Sequence, residues 1–281
     1  FDSTRLGDAA DCWRKAYYRH EIHIIPDRWA TEPAYGIAGH AALKVYYDNN
    51  RNLELAYAEF CRLWQDRPDD PKSKYTQANA KKILAEYDKR YAKEPLKVLQ
   101  TERLLRVDLW GYVFVARLDS FIDQNNVLKI MEHKFTSRIG SDISQDYEMR
   151  AQLTAQVIAA RALPTKPDIQ YVLMNIARQG YDPAEPRYHY EYRQNDEEDG
   201  KMTRHRVEQK DSSDCFFRFS VQITDMHIQD WYVSASMLIH DWQERRSSEM
   251  WPAPVSTMAH ARNTRAVHTG RYASTQGLRK I

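Results

Sequence analysis

Asp119 and the trio Glu132-His133-Lys134 are the residues of this chain best suited to chemistry. A carboxylate, followed by a carboxylate and a lysine two residues apart, has the make-up of a metal-dependent phosphodiester-cleaving site. Two carboxylates can hold a divalent cation, and an ammonium beside them can face a phosphate or an attacking water. The spacing alone is common, since Asp70-Pro71-Lys72 and Glu208-Gln209-Lys210 share it. The first lies in the proline-punctuated run Asp66-Arg67-Pro68-Asp69-Asp70-Pro71, which reads as a loop. The second lies in a charged stretch with no apolar strand around it. Only Glu132 and Lys134 follow a strand that ends in an acid.

That strand must position the acids. The run Gly111-Tyr112-Val113-Phe114-Val115-Ala116-Arg117-Leu118-Asp119 is rich in β-branched and aromatic residues, and Asp123-Gln124-Asn125-Asn126 is a turn cluster. Val127-Leu128-Lys129-Ile130-Met131 begins a second strand, so residues 107–135 read as a β-hairpin. Alternation puts Glu132 and Lys134 on one face and His133 on the other. Pairing Ile122 with Val127 sets Asp119 opposite Ile130, with Glu132 its diagonal neighbour at roughly 7–8 Å. Two carboxylates and an ammonium on one face of an apolar hairpin are costly unless a cation organises them.

The rest of the chain supplies the surroundings. Residues 3–21 read as a helix, and Gly36 to Val45 opens another after the Pro33 region. Helices follow over about 52–65, with Leu53, Tyr57, Phe60, Cys61 and Trp64 at helical spacing, and about 76–92, with Ile83, Tyr87 and Tyr91 on one stripe. Together they suit a lid or side wall beside the sheet. Asp146 to Ala160 reads as a long helix, and Ile169 to Ile176 as a buried strand. Strand, strand, helix, strand implies a mixed sheet with a crossover helix. In 181–214, Arg187-Tyr188-His189-Tyr190-Glu191-Tyr192-Arg193 alternates as one strand of a projecting hairpin. Its tyrosines suit either stacking on unpaired bases or a half-buried amphipathic strand. Helix 225–246 closes the compact part, with Trp231, Met237, Leu238 and Trp242 as core.

A chain of 281 residues with 42% hydrophobic and 28% charged residues can bury a sizeable core. No apolar run approaches the ~18 residues of a membrane span. The opening Phe1-Asp2-Ser3-Thr4-Arg5 has no apolar signal region, and its lack of Met suits a processed or a trimmed chain, which leaves upstream sequence open. Three widely spaced cysteines, Cys12, Cys61 and Cys215, argue for a reducing compartment and against a disulfide framework, so a cytoplasmic location is expected. From Trp251 to Ile281 there is no acid, while Arg262, Arg265, Arg271, Arg279 and Lys280 accumulate. Such a tail is a solvated end or a strip for phosphate contacts.

Gly39-His40 on a helix, Arg117-Leu118-Asp119 at a strand end, Met131-Glu132-His133-Lys134-Phe135 on the next strand and Gln152 on the following helix resemble the PD-(D/E)XK nuclease superfamily. The similarity is greatest to its RecB-like exonuclease branch, which includes phage recombination and CRISPR-associated nucleases. Ser3 through Cys12-Trp13-Arg14-Lys15-Ala16-Tyr17-Tyr18 and Glu102 also resemble that branch, and the likeness runs to about residue 246. It implies an α/β, restriction-endonuclease-like mixed sheet flanked by helices with a helical side wall. A nuclease domain would occupy 1–250, with a lid at about 48–95 and a hairpin projection at about 181–214, ahead of a basic tail at 251–281.

The resemblance implies His40, Asp119, Glu132 and the main-chain carbonyl of His133 as metal ligands, Lys134 as the catalytic lysine and Gln152 as the brace of the site. Gln156 stands where the family usually has a tyrosine four residues after the glutamine, so DNA positioning is expected to differ. Arg14, Tyr17, Gln156, Tyr190, Arg262, Arg265 and Arg271 are the expected DNA contacts. Many relatives bind a [4Fe–4S] cluster with one N-terminal and three C-terminal cysteines. Cys12 fits the first, but 251–281 holds none, so no iron–sulfur cluster is expected and Cys12 is read as a small buried residue.

Carboxylates suit Mg²⁺, and an imidazole shifts preference toward Mn²⁺. A ligating His40 must be neutral, so metal affinity is expected to fall below about pH 6. Lys134 would orient or deprotonate the water, or stabilise the transition state. The function expected is a Mg²⁺- or Mn²⁺-dependent DNA exonuclease in recombination, repair or phage DNA processing, acting on linear DNA with a recombinase or helicase as a further partner. A site-specific endonuclease on the same fold and a non-cleaving DNA- or protein-binding module are the alternatives.

Overall fold

The computed structural model describes residues 1–26, 30–65, 67, 73–136, 151–179, 187–194, 202–209, 215–252 and 278–280. The chain opens with α1 (Ser3–Asp11), α2 (Trp13–Ala16), a π-helical turn (Tyr17–Glu21) and β1 (Ile24–Pro26). It continues with α3 (Thr31–Asp48), α4 (Leu53–Trp64), α5 (Gln77–Tyr91), β2 (Leu96–Leu109), β3 (Tyr112–Gln124) and β4 (Val127–Thr136). Then come α6 (Ala151–Arg161), β5 (Tyr171–Arg178), β6 (Arg187–Gln194), β7 (Met202–Gln209), β8 (Phe216–Gln222), α7 (Asp225–Ser248) and β9 (Leu278–Lys280).

Five strands form one mixed sheet in the order β2-β3-β4-β5-β8. β4 and β5 are parallel, joined through the stretch that holds α6, and the other pairs are antiparallel. The expected α/β architecture, with its crossover helix, is therefore present. Apolar residues of the sheet such as Phe114, Leu118, Ile130 and Met174 pack with α6 and α7. A second cluster joins α3, α4 and α5 to Ala177 and Phe216, which makes these helices the side wall. No helix among the described residues is long and apolar enough to cross a membrane.

Local chemistry explains most boundaries. Asp2, Asn52, Thr76 and Thr224 cap α1, α4, α5 and α7 by accepting from a backbone N–H of the first turn. α3 begins at Thr31 rather than after Pro33, because a proline in the first turn removes only an N–H with no helical partner. The single helix expected over 3–21 is broken at Cys12, whose backbone is extended. The break lets Trp13 and Tyr17 reach Trp242 and Trp251 in an aromatic cluster. Cys12 is half-buried rather than buried, and Trp251 is buried, so the compact part runs past the expected boundary at 250.

Two strands of the five-stranded sheet were not foreseen, and neither was the short pair β1 and β9. β2 interleaves Lys97, Glu102, Arg103 and Arg106 with its apolar residues, which an edge strand tolerates. It turns into β3 through Trp110 and Gly111, both at positive φ, so Gly111 belongs to the turn and not to the strand. β8 is the other edge, and it carries Arg218 between phenylalanines. On α7 the buried stripe is Trp231, Ala235, Ile239 and Trp242, with Leu238 packed against it, while Met237 is exposed.

The β3–β4 register also differs from expectation. Gln124 pairs with Val127, and Ser120 with Met131. Asn125 and Asn126 adopt φ of 56° and 61°, so the turn is a tight two-residue one and not a four-residue cluster. The pairing moves by two residues and puts Asp119 level with Glu132 instead of Ile130. An even shift leaves each side chain on its face, whereas a shift of one would have reversed them. β6 and β7 form the expected antiparallel pair, with Tyr190 opposite Arg206. Residues 146–150 of the expected helix, and Arg262, Arg265 and Arg271, lie outside the described residues, as does the side chain of Tyr190.

Candidate active site

Asp119 lies inside β3, which runs on to Gln124 and so does not end in the acid as expected; Glu132 and Lys134 lie on β4, and α3 brings His40 to them. Gly39 makes that approach possible: a Cβ there would meet the Phe135 ring at 2.6–2.7 Å. With hydrogen in its place, α3 lies against β4 and His40 Nδ1 comes within 3.3 Å of Asp119 Oδ2. The backbone N–H of His133 donates to the same oxygen at 2.8 Å.

Glu132 is buried, and its carboxylate accepts from three donors. Lys134 Nζ is 2.5 Å from Oε1, Gln152 Nε2 donates to Oε1 at 2.9 Å, and Gln156 Nε2 donates to Oε2 at 2.8 Å. Gln156 also reaches the carbonyl of Arg117 at 3.1 Å. Gln152 thus lies on the acid that it was expected to brace. Gln156 is buried on the acid, so its side chain holds Glu132 rather than standing out toward a ligand.

The two acids are electrostatically unlike. Burial opposes ionisation of Asp119, but the hydrogen bond and charge of His40, with His133 beside it, hold its carboxyl down at about 2. Burial, then the charge of Asp119, raises Glu132 above the usual carboxylate range despite Lys134 and Gln156. Burial lowers His133 to about 3, which keeps its ring neutral. His40 is shifted upward, because Asp119 outweighs the effect of burial. Glu102 joins them from β2: between the pairs Thr101–Ser120 and Arg103–Leu118 it stands level with Asp119. Burial and the charge of Asp119 raise its carboxyl too.

The donor chemistry of Asp119, Glu132 and His40 fits a hard divalent cation, which would relieve the repulsion between the two acids. The three do not close to ligand spacing here, since Glu132 is drawn onto Lys134 and the two amides. Among the described residues, the group of three such ligand atoms lying within 4.8 Å of one another is the exposed His240, Asp241 and Glu244 on α7.

Of the other expected contacts, Arg14 is exposed on α2 and Tyr17 stacks on Trp251 at 5.2 Å, so neither joins Glu132. A cleft of about 540 Å³ instead borders Gln152 and Gln156 and is lined by Ser3, Arg19, His20 and Arg117. Sequence reasoning passed over Arg19, His20 and Arg117, and no periodic signal marks them. It also passed over Asn175 and Arg218, whose signal was legible: an amide inside the apolar strand Tyr171–Arg178 and a charge between phenylalanines in Phe216–Gln222.

No family model matches the chain, and no curated protein matches it. A solved structure described as a "putative exonuclease" from Eubacterium rectale is similar over 96% of this chain and 90% of its own, at 12% identity and a TM-score of 0.53. This chain shares that protein's fold. A second solved structure, SSO0001, is similar over 75% of this chain and 74% of its own at 9% identity and a TM-score of 0.30.

Proposed function

We propose that the protein is a divalent-metal-dependent deoxyribonuclease of the PD-(D/E)XK type, in the RecB-like branch, that acts as an exonuclease on linear DNA. The observation that carries the reading is the buried Glu132 with the half-buried Lys134 2.5 Å from it, on the strand whose backbone grips Asp119. Two such carboxylates beside a lysine and an imidazole cost stability unless hydrogen bonds or a cation compensate them, and such costs cluster at functional sites. The overall likeness to the structure described as a "putative exonuclease" supports the same reading at the level of fold.

Asp119, Glu132, His40 and the carbonyl of His133 would hold the ion. When bound, Mg²⁺ or Mn²⁺ supplies Lewis acidity and a lower pKa for attacking water. Lys134 offers its ammonium to the phosphate or the water, and Gln152 and Gln156 orient Glu132. Hydrolysis adds the water oxygen to phosphorus, breaks one phosphodiester P–O bond and leaves the departing oxygen protonated. The cleft beside Gln152 and Gln156, with Arg19 and Arg117, suits a polyanion.

End-labelled linear and circular DNA with Mn²⁺ provide the test. Linear DNA should be shortened from its ends while circles persist. Lys134→Ala, Asp119→Ala and Glu132→Ala should each lower kcat by about 10²-fold or more while circular dichroism stays unchanged. Discrete fragments from circles would indicate an endonuclease. DNA retardation without cleavage by the wild type would leave a binding module.

A further inference from the structure

A polar network lies on the far face of β4 from Glu132. Asn175 on β5 is the register partner of His133, and Arg218 on β8 is the register partner of Asn175. His133 and Asn175 are both buried. Arg218 donates its Nε–H to Asn175 Oδ1 at 2.7 Å. Arginine has no acceptor, so this bond settles which end of the amide faces β8. The amide nitrogen then points the other way and donates to the Tyr87 hydroxyl at 2.8 Å and to His133 Nδ1 at 2.6 Å. A ring nitrogen that accepts carries no proton, which puts the His133 proton on Nε2. Nε2 has no hydrogen-bond partner among the described residues, so no other group competes with Asn175 in choosing the tautomer.

Arg218 is itself fixed from several sides. It forms an ion pair with Glu94, donates to the hydroxyls of Tyr47 at 3.1 Å and Tyr87 at 2.8 Å, and lies 3.7 Å above the Tyr91 ring. Tyr47 stacks on the His133 ring at 5.9 Å and 19°. Groups from α3, α5, β5 and β8 therefore fix the imidazole of the residue whose backbone holds Asp119.

We propose that Asn175, oriented by Arg218, is a positioning residue of the site: it holds the Nε2–H imidazole of His133 so that β4 keeps its N–H on Asp119 and presents Glu132 and Lys134 beside it. The consequence for cleavage rests on the nuclease reading, whereas the tautomer does not. Displacing a reacting group by about 1 Å can cost two orders of magnitude in rate, so a network that only fixes β4 can still govern turnover.

Asn175→Asp is the diagnostic change, because it keeps the shape and the Arg218 bond but turns the donor facing His133 into an acceptor. Nitrogen-15 spectra of histidine-labelled protein, with His133 assigned by His133→Gln, should show the proton on Nε2 in the wild type and on Nδ1 in Asn175→Asp. Mn²⁺ affinity by calorimetry and kcat should each fall about 10-fold, with KM for DNA little changed. An Nδ1–H signal for His133 in the wild type, which needs no variant to fold, overturns the assignment. A folded Asn175→Asp protein with unchanged Mn²⁺ affinity and kcat overturns the positioning role. Wild-type protein that gives the Nε2–H signal and the Mn²⁺ difference but cuts no DNA supports the positioning role and removes the nuclease reading.

Discussion

Glu132 shows what a single buried charge demands. Its carboxylate accepts from a lysine and two glutamines, and each donor offsets part of the desolvation that raises its pKa. Gln156 is the informative one of the three, because the family resemblance assigned it to DNA while the structure seats it on the acid. Gln156→Ala should therefore lower the cleavage rate about 10-fold while DNA affinity, read by filter binding, changes less than twofold. A large loss of affinity with unchanged turnover would restore the DNA-contacting role.

Elements decide whether these residues meet. α3 can lie on β4 only because position 39 carries no side chain. Gly39→Ala should cost about 1–3 kcal/mol in urea denaturation and lower activity further, because the displaced helix carries His40. Adding Phe135→Ala should recover part of the stability, since the two contacts are one and their effects are not additive. At the other end, Asp8 ties the N-terminal segment together: it is buried and meets Lys15 at 2.7 Å, Arg19 at 3.0 Å and His20 at 2.9 Å. Burial works against ionisation, but these partners hold its carboxyl below the ordinary value near 3.8. A depressed pKa contributes stability that is complete above the ordinary value and disappears as pH falls through the folded one. Asp8→Asn should thus cost about 1–3 kcal/mol at pH 6, with the gap to wild type closing as the medium is taken below pH 4. A gap that is constant across that range would contradict the role.

At the scale of the molecule, the sheet is clad by α6 and α7 on one cluster and by α3 to α5 on the other, and the site opens where β3, β4, α3 and α6 converge. The cleft beside Gln152 and Gln156 carries Arg19 and Arg117 but no acid other than Asp2 on its lining. Arg19 is committed to Asp8, so Arg117, exposed and 3.8 Å from Glu102, is the better probe of phosphate contact. Arg117→Ala should weaken DNA binding uniformly across sequences and reduce the slope of log K against log salt by about 1. An unchanged slope would place the DNA elsewhere on the surface.

The amino-acid sequence alone determined the pieces whose information is local. Period-two alternation put Glu132 and Lys134 on one face, helical spacing marked Ile83, Tyr87 and Tyr91, and the polar caps set where α4 and α5 begin. The site acids stayed legible even with the register misjudged, because an error of two residues preserves the facing of a strand. What the tertiary structure decided is everything that depends on strand order. β2 and β8 became strands because edges of a sheet accept charges that local pattern counts against them. Asn175 meets His133 only because β5 lies beside β4, and Arg218 meets Asn175 only because β8 lies beside β5, each link spanning more than forty residues of chain. A buried amide or guanidinium signals that it needs a partner, but which partner it finds is set by the packing of the whole sheet, and no window of sequence contains that.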